Sequence, residues 1–197
     1  AAEHLDLANT AMARLSTKTE DLGTDITVKS AELQQIDGND KELLRKQKRV
    51  INSMAAIMNE YALACDRDVH VMHEEFVAST DAVQKMIPLS HDFPNQTTLE
   101  NLRELSDTLI ESRTAYDGAI EQVVEFTRVI DSMPRATTAY NAAKRNVGRT
   151  MKKTTQTLES FVSVQDEILL QIQSAIQKLE KTISDERIDT ESSVQQV

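Results

Sequence analysis

Glycine and proline supply only seven of 197 residues. Four of the seven, Gly38, Pro88, Pro94 and Pro134, fall where three interruptions divide the chain into long stretches of helical periodicity. A typical soluble domain carries roughly 12% of these two residues and about 20–25% strand, so a chain this poor in breakers is expected to be all-α. Composition agrees: 40% of residues are apolar but only 4% are aromatic, with no Trp. Long bundles pack Leu, Ile, Val, Ala and Met along a seam, whereas compact pockets for flat ligands usually recruit rings.

Apolar residues recur at three-four spacing through four segments. Leu5, Ala8, Met12, Leu15, Thr19, Leu22, Ile26 and Leu33 predict a first helix over roughly 3–36. Asp37-Gly38-Asn39-Asp40 then ends it, with Gly38 as a left-handed cap and Asp40 capping the next helix. A second helix over about 40–87 is carried by Leu44, Ile51, Met54, Met58, Tyr61, Cys65, Val69, Met72, Phe76, Val83 and Ile87. Residues 88–98 hold two prolines and are expected to be the one substantial loop. A third helix is predicted over about 98–131, starting at Thr98, and a fourth over about 134–187. Asp131-Ser132-Met133-Pro134 suits either a turn or a proline kink, and a turn is the expectation. Residues 188–197 are polar and expected to fray.

Short connections make neighbours antiparallel, so the expected fold is a single elongated up-down-up-down four-helix bundle with helices 2 and 4 diagonal and parallel. Charge is sorted along that rod. The net formal charge is −10, yet residues 41–49 hold five basic and one acidic residue and residues 135–153 hold six basic and none acidic. The two stretches thus carry +10 and the remainder −20. Both lie near the starts of helices 2 and 4, which puts them at one end of the rod, away from the termini and the 88–98 loop. Such a cationic end attracts small anions, an acidic partner or lipid headgroups, although charge runs ordinarily form a solvated face. Overall acidity disfavours nucleic acid.

Chemistry of other kinds finds little footing. Asp66, His70 and Glu74 share one helical stripe with His73 beside them, but one stripe supplies too few ligands for a metal, and surface ion pairs are the expectation. None of His4, His70, His73 or His91 is followed by the Lys-Gly of histidine phosphotransfer domains. Cys65 lies on the apolar stripe, where an inert buried thiol is expected, and as the sole cysteine it forms no intrachain disulfide. No Gly-rich phosphate loop or Gly-x-Ser-x-Gly elbow occurs, so no enzyme, cofactor or metal is expected. Thr19, Lys29, Thr154 and Gln165 place polar groups at seam positions, where such residues fix register. No apolar run reaches the roughly 20 residues that span a bilayer, which also leaves no apolar hairpin for a membrane-inserting toxin. The chain opens on Ala1-Ala2-Glu3-His4 already in helical pattern, and is expected to be a segment of something larger.

By architecture the chain resembles the four-helix periplasmic sensory domains of bacterial chemoreceptors and sensor kinases. That resemblance implies a non-catalytic signal-input domain of a membrane-anchored parent, extracytoplasmic and homodimeric. Arginines near the distal end of such domains hold small anionic ligands, often across the dimer interface, and the positions that match here are Arg45, Arg49, Arg145 and Arg149. The alternative is a structural or adaptor bundle, cytoplasmic or not, that docks an acidic or helical protein partner through its long surfaces.

Overall fold

The computed structural model describes residues 2–38 and 40–194, with the side chains of Ala2, Ser193 and Val194 outside that description. Those residues form four α-helices and no strand: α1 (Ala2–Gln34), α2 (Lys41–Asp92), α3 (Gln96–Ser132) and α4 (Thr138–Val194). The protein is all-α, as its scarcity of breakers requires.

α2 packs against both α1 and α4; α3 packs against α4 and, more sparingly, α1. Helices 2 and 4 are therefore packed neighbours, which corrects the expectation that they lie on a diagonal. Partner residues fix the sense of each pair. His4 and Thr19 of α1 meet Glu75 and Tyr61 of α2, so these two run oppositely. Arg103 and Ser112 of α3 meet Glu180 and Gln165 of α4, again oppositely. Asn59 and Cys65 of α2 meet Asn146 and Thr154 of α4, so this pair runs in the same sense.

The main core is built where all four helices are present, from Leu15, Leu22 and Ile26 of α1, Met54, Met58 and Met72 of α2, Tyr116 and Val123 of α3, and Val147, Met151 and Leu158 of α4. His4 lies beside Glu75, some 17 residues short of the end of α2, or about 26 Å at 1.5 Å per residue. Past that point the core continues with α2, α3 and α4 alone, through Leu99, Leu102, Ala175 and Leu179. The start of α1 thus falls short of the α2–α3 turn, because α2 is the longer helix and projects beyond it. From residue 184 to 192 every residue of α4 is exposed.

Four helix boundaries differ from the sequence reading. α2 runs through Pro88 to Asp92, leaving only residues 93–95 as the connection. Pro88 lacks an N–H to give Gln84, but Ile87 is packed into the core on one side of it and Ser90 is buried on the other. The Ser90 hydroxyl also donates to the Ile87 carbonyl at 2.6 Å. α3 starts at Gln96 because Asn95, not Thr98, is the cap: its Oδ1 accepts from the Thr98 N–H at 2.9 Å. α4 starts at Thr138, after a turn rather than a kink, and stays helical through Val194 in place of the expected fraying from residue 188, while residues 195–197 lie outside the described chain.

Gly38 takes a positive φ of 125°, but α1 ends at Gln34, so it turns the connection and does not cap the helix as expected. Asp40 stands at the N-cap of α2 without a side-chain capping bond, and Asn39 lies outside the described residues. Leu44, expected in the seam, is half exposed, and the buried stripe of α2 begins instead at Val50.

At Gly23 a side chain of α3 packs closely on α1. A Cβ built there would lie 1.7 Å from Phe126 Cε1, so the ring rests directly on the helix backbone. Gly23→Ala is expected to destabilise the fold by about 1–3 kcal/mol despite alanine's better helix propensity, because the ring must be displaced. Urea denaturation monitored by circular dichroism measures it.

Candidate functional site

The first turns of α4 are shaped by the connection that precedes them. Thr137 starts the helix, its Oγ1 accepting from the Tyr140 N–H at 3.3 Å and its carbonyl from the Asn141 N–H at 2.9 Å. Asn141 closes the turn from the other side: its Oδ1 accepts from the Ala136 N–H and its amide donates back to the Ala136 carbonyl. Lys144 donates to the carbonyls of Asp131 and Met133, at 3.3 and 2.5 Å, satisfying the end of α3 with a cation where the helix dipole favours one.

On this scaffold Arg135, Lys144, Arg145, Arg149 and Lys152, with Asp131, Asn141 and Gly148, line a surface hollow of about 390 Å³. A second hollow of about 430 Å³ at the start of α2 is lined by Lys41, Arg45, Lys46 and Arg49 together with Asp40 and Glu42. All four arginines singled out from the sequence are exposed. They are brought together in pairs: Arg145 with Arg149 in the first hollow, Arg45 with Arg49 in the second. Neither hollow holds both pairs. The contacts of Asn59 with Asn146 and of Cys65 with Thr154 set α2 and α4 in a register that explains the separation. In that register Arg45 lies level with the α3–α4 connection, and Arg145 lies about 12 residues, or about 18 Å, further along. The expected collar is therefore two staggered cationic patches.

Counterions divide the molecule. Outside the two basic stretches, Arg103 pairs with Glu180, Arg113 with Asp166 and Asp117, Arg128 with Glu125, Lys29 with Glu32 and Arg187 with Glu191. The bond from Arg113 holds the Asp166 carboxyl below its ordinary pKa. Within the two stretches, among the described residues, only Lys46 makes an ion pair, with Glu42 at 3.9 Å. Guanidinium groups at Arg45, Arg49, Arg135, Arg145 and Arg149 thus face solvent without a carboxylate.

The remaining candidates resolve into structural roles. His70 pairs with Glu74 at 3.3 Å and His73 stacks on Phe161, and no group of three or more potential metal ligands forms among the described residues. Lys29 is not in the seam. Thr19, Thr154 and Gln165 are buried there: Thr19 bonds with Tyr61, Thr154 with Cys65, and Gln165 donates to Ser112, which donates to Asn9. Burial raises the Cys65 thiol pKa above its ordinary value. The sequence reading missed Asp68, which is 2% exposed and held by Lys18 Nζ at 2.5 Å, with Arg14 and Arg67 near 4 Å. Its position in the run 61-65-68-72-76 was the available signal.

Two outcomes are expected. Lys18→Met, which removes the one close charge-assisted bond to Asp68 and leaves it only Arg14 and Arg67, lowers stability by about 2 kcal/mol in a denaturant titration. Cys65 resists a thiol reagent in the native protein and reacts fully once the chain is unfolded in guanidinium, since a buried protonated thiol is a poor nucleophile. Among the described residues no helix is long and apolar enough to cross a membrane. Comparison of the chain with protein-family models, curated proteins and solved structures finds no match.

Proposed function

We propose that this chain is a non-catalytic signal-input domain, an elongated up-down-up-down four-helix bundle whose cationic end receives a small anionic ligand. The observation that carries the reading is the set of arginines at Arg45, Arg49, Arg145 and Arg149, held on rigid helices without counterions in a protein that pairs its arginines outside the two basic stretches with acids. A pre-organised, uncompensated cationic surface raises the local concentration of anions and forms charge-assisted bonds with them at little reorganisation. The pairwise helix senses support the bundle topology, and the length of α4 supports transmission by small axial helix shifts. In this proposal the domain is homodimeric, belongs to a membrane-anchored parent and faces the extracytoplasmic, periplasmic side.

A second reading, an adaptor bundle that docks a protein partner, is favoured by the α2–α3 turn, where Leu89 and Phe93 are 54% and 63% exposed beside Met86. It predicts a protein complex weakened by Leu89→Ser/Phe93→Ser and indifferent to small anions.

Calorimetric titration and melting curves against organic acids, acidic amino acids and phosphate esters separate the two. At a ligand concentration of 100 Kd the input-domain reading expects about 2.7 kcal/mol of added stability. Replacing Arg45, Arg49, Arg145 and Arg149 together by Gln abolishes it while leaving the ligand-free melting temperature unchanged. No heat and no shift with any anion overturns the reading.

A further inference from the structure

We infer that the α4 hollow is a site for a compact ligand bearing several phosphate groups, such as an inositol polyphosphate or an oligophosphate. This rests on the anion-binding reading above and assigns both its place and its ligand class.

Charge selects the class first. The hollow sets Arg135, Lys144, Arg145, Arg149 and Lys152 against the lone carboxylate of Asp131, a surplus of four positive charges. A monocarboxylate or dicarboxylate leaves most of that surplus unmatched. The hollow on α2, by contrast, balances four cations with Asp40 and Glu42 and is the weaker of the two. Geometry selects next. The lining residues of α4 run from Asn141 to Lys152, about 16 Å of helix rise, with Arg145 and Arg149 one turn apart, about 5–6 Å between Cβ atoms. Planar guanidinium forks match phosphate oxygens two at a time, and the lysines serve as point charges beside them. No aromatic side chain lines the hollow, so nothing there stacks a nucleobase.

Gly148 is the second, independent observation. It sits in the third turn of α4 among the residues that line the hollow, and a Cβ added to it meets nothing within 4 Å. Packing therefore does not require glycine there, although glycine weakens a helix relative to alanine. What the missing side chain provides is bare backbone under the cations, where a bulky anion can sit close. Gly118 of α3 is equally open but has no cationic surround, which makes it the internal control.

The test is titration of the whole chain with tripolyphosphate and inositol hexakisphosphate at physiological salt. Citrate is the comparison anion, and phosphatidylcholine vesicles with and without phosphoinositide form a separate arm. Binding of the polyphosphates at least tenfold tighter than citrate is expected. Arg145→Gln/Arg149→Gln weakens it at least tenfold and Arg45→Gln/Arg49→Gln less than threefold. Gly148→Leu weakens it at least fivefold without lowering the melting temperature. Gly148→Ala and Gly118→Ala both raise that temperature, and only the former touches binding. Phosphoinositide vesicles alone being bound supports the same chemistry with a lipid headgroup as its source; soluble polyphosphate alone being bound makes the source a free metabolite. Citrate binding as tightly as the polyphosphates overturns this inference and leaves the anion reading standing. Failure of every anion removes both. Binding that survives Arg145→Gln/Arg149→Gln and Gly148→Leu unchanged places the ligand elsewhere and overturns the site.

Discussion

One stripe along α4 organises this molecule. Tyr140, Ala143, Val147, Met151, Thr154, Leu158, Phe161, Gln165, Ile168, Ile172, Ala175 and Leu179 are all buried, and they succeed one another at intervals of three or four residues without a lapse. Their mean spacing is close to 3.5, the period that keeps a seam facing its partners along a left-handed supercoil. α4 is the element that packs on both α2 and α3, so the placement of its neighbours and of the residues on its outer face follows from this stripe. The cations of the candidate site are the complement of that pattern: Arg145, Arg149 and Lys152 are exposed because Val147, Met151 and Thr154 are buried.

Polar groups interrupt the seam at defined levels and there do the work of alignment. Thr19 with Tyr61 and Cys65 with Thr154 tie α1 to α2 and α2 to α4 through bonds that exist in one register only. Asn9, Ser112 and Gln165 form a further layer across α1, α3 and α4. Nearby, Tyr116 stacks edge-on against Phe161, while Tyr116 Oη and Gln165 Oε1 are buried without a protein partner among the described residues. Each such atom costs about 1–3 kcal/mol of desolvation, which the surrounding aromatic and aliphatic packing must offset. Asp68 is the charged counterpart, pinned between α1 and α2 by Lys18. Specific alignment, not extra stability, is what such groups contribute to a long helical assembly, where apolar seams alone tolerate slippage by a heptad.

How much was legible in the sequence follows from which information is local. The buried stripes of α1 and α4 could be read nearly residue by residue, since periodicity is a property of the helix itself. Pro88 was misread because its tolerance depends on Ile87 and Ser90 being held by neighbouring helices, a tertiary fact that outweighs a local preference. Asn95 and Thr137 were overlooked as caps because each lies within a cluster of equally capable residues, and only geometry chooses among them. Asp68 went unseen because Val69, the apolar residue beside it, fits the same stretch between Cys65 and Met72. The basic stretches were visible as composition, yet their stagger was not: it depends on the register of α2 against α4, set by contacts nearly 90 positions apart in the chain. Gly148 carried no signal without knowledge of the space above it.

The early end of α1 has a mechanical consequence. Where four rods become three, bending stiffness drops, because resistance to flexure grows steeply with the breadth of the cross-section. Load applied near the cationic end therefore meets a stiff sleeve, and beyond His4 it passes to a slimmer neck of α2, α3 and α4. Of these only α4 runs on, its residues 184–192 exposed throughout. A slide of α4 by a fraction of a turn would emerge there as motion of an unbraced strut.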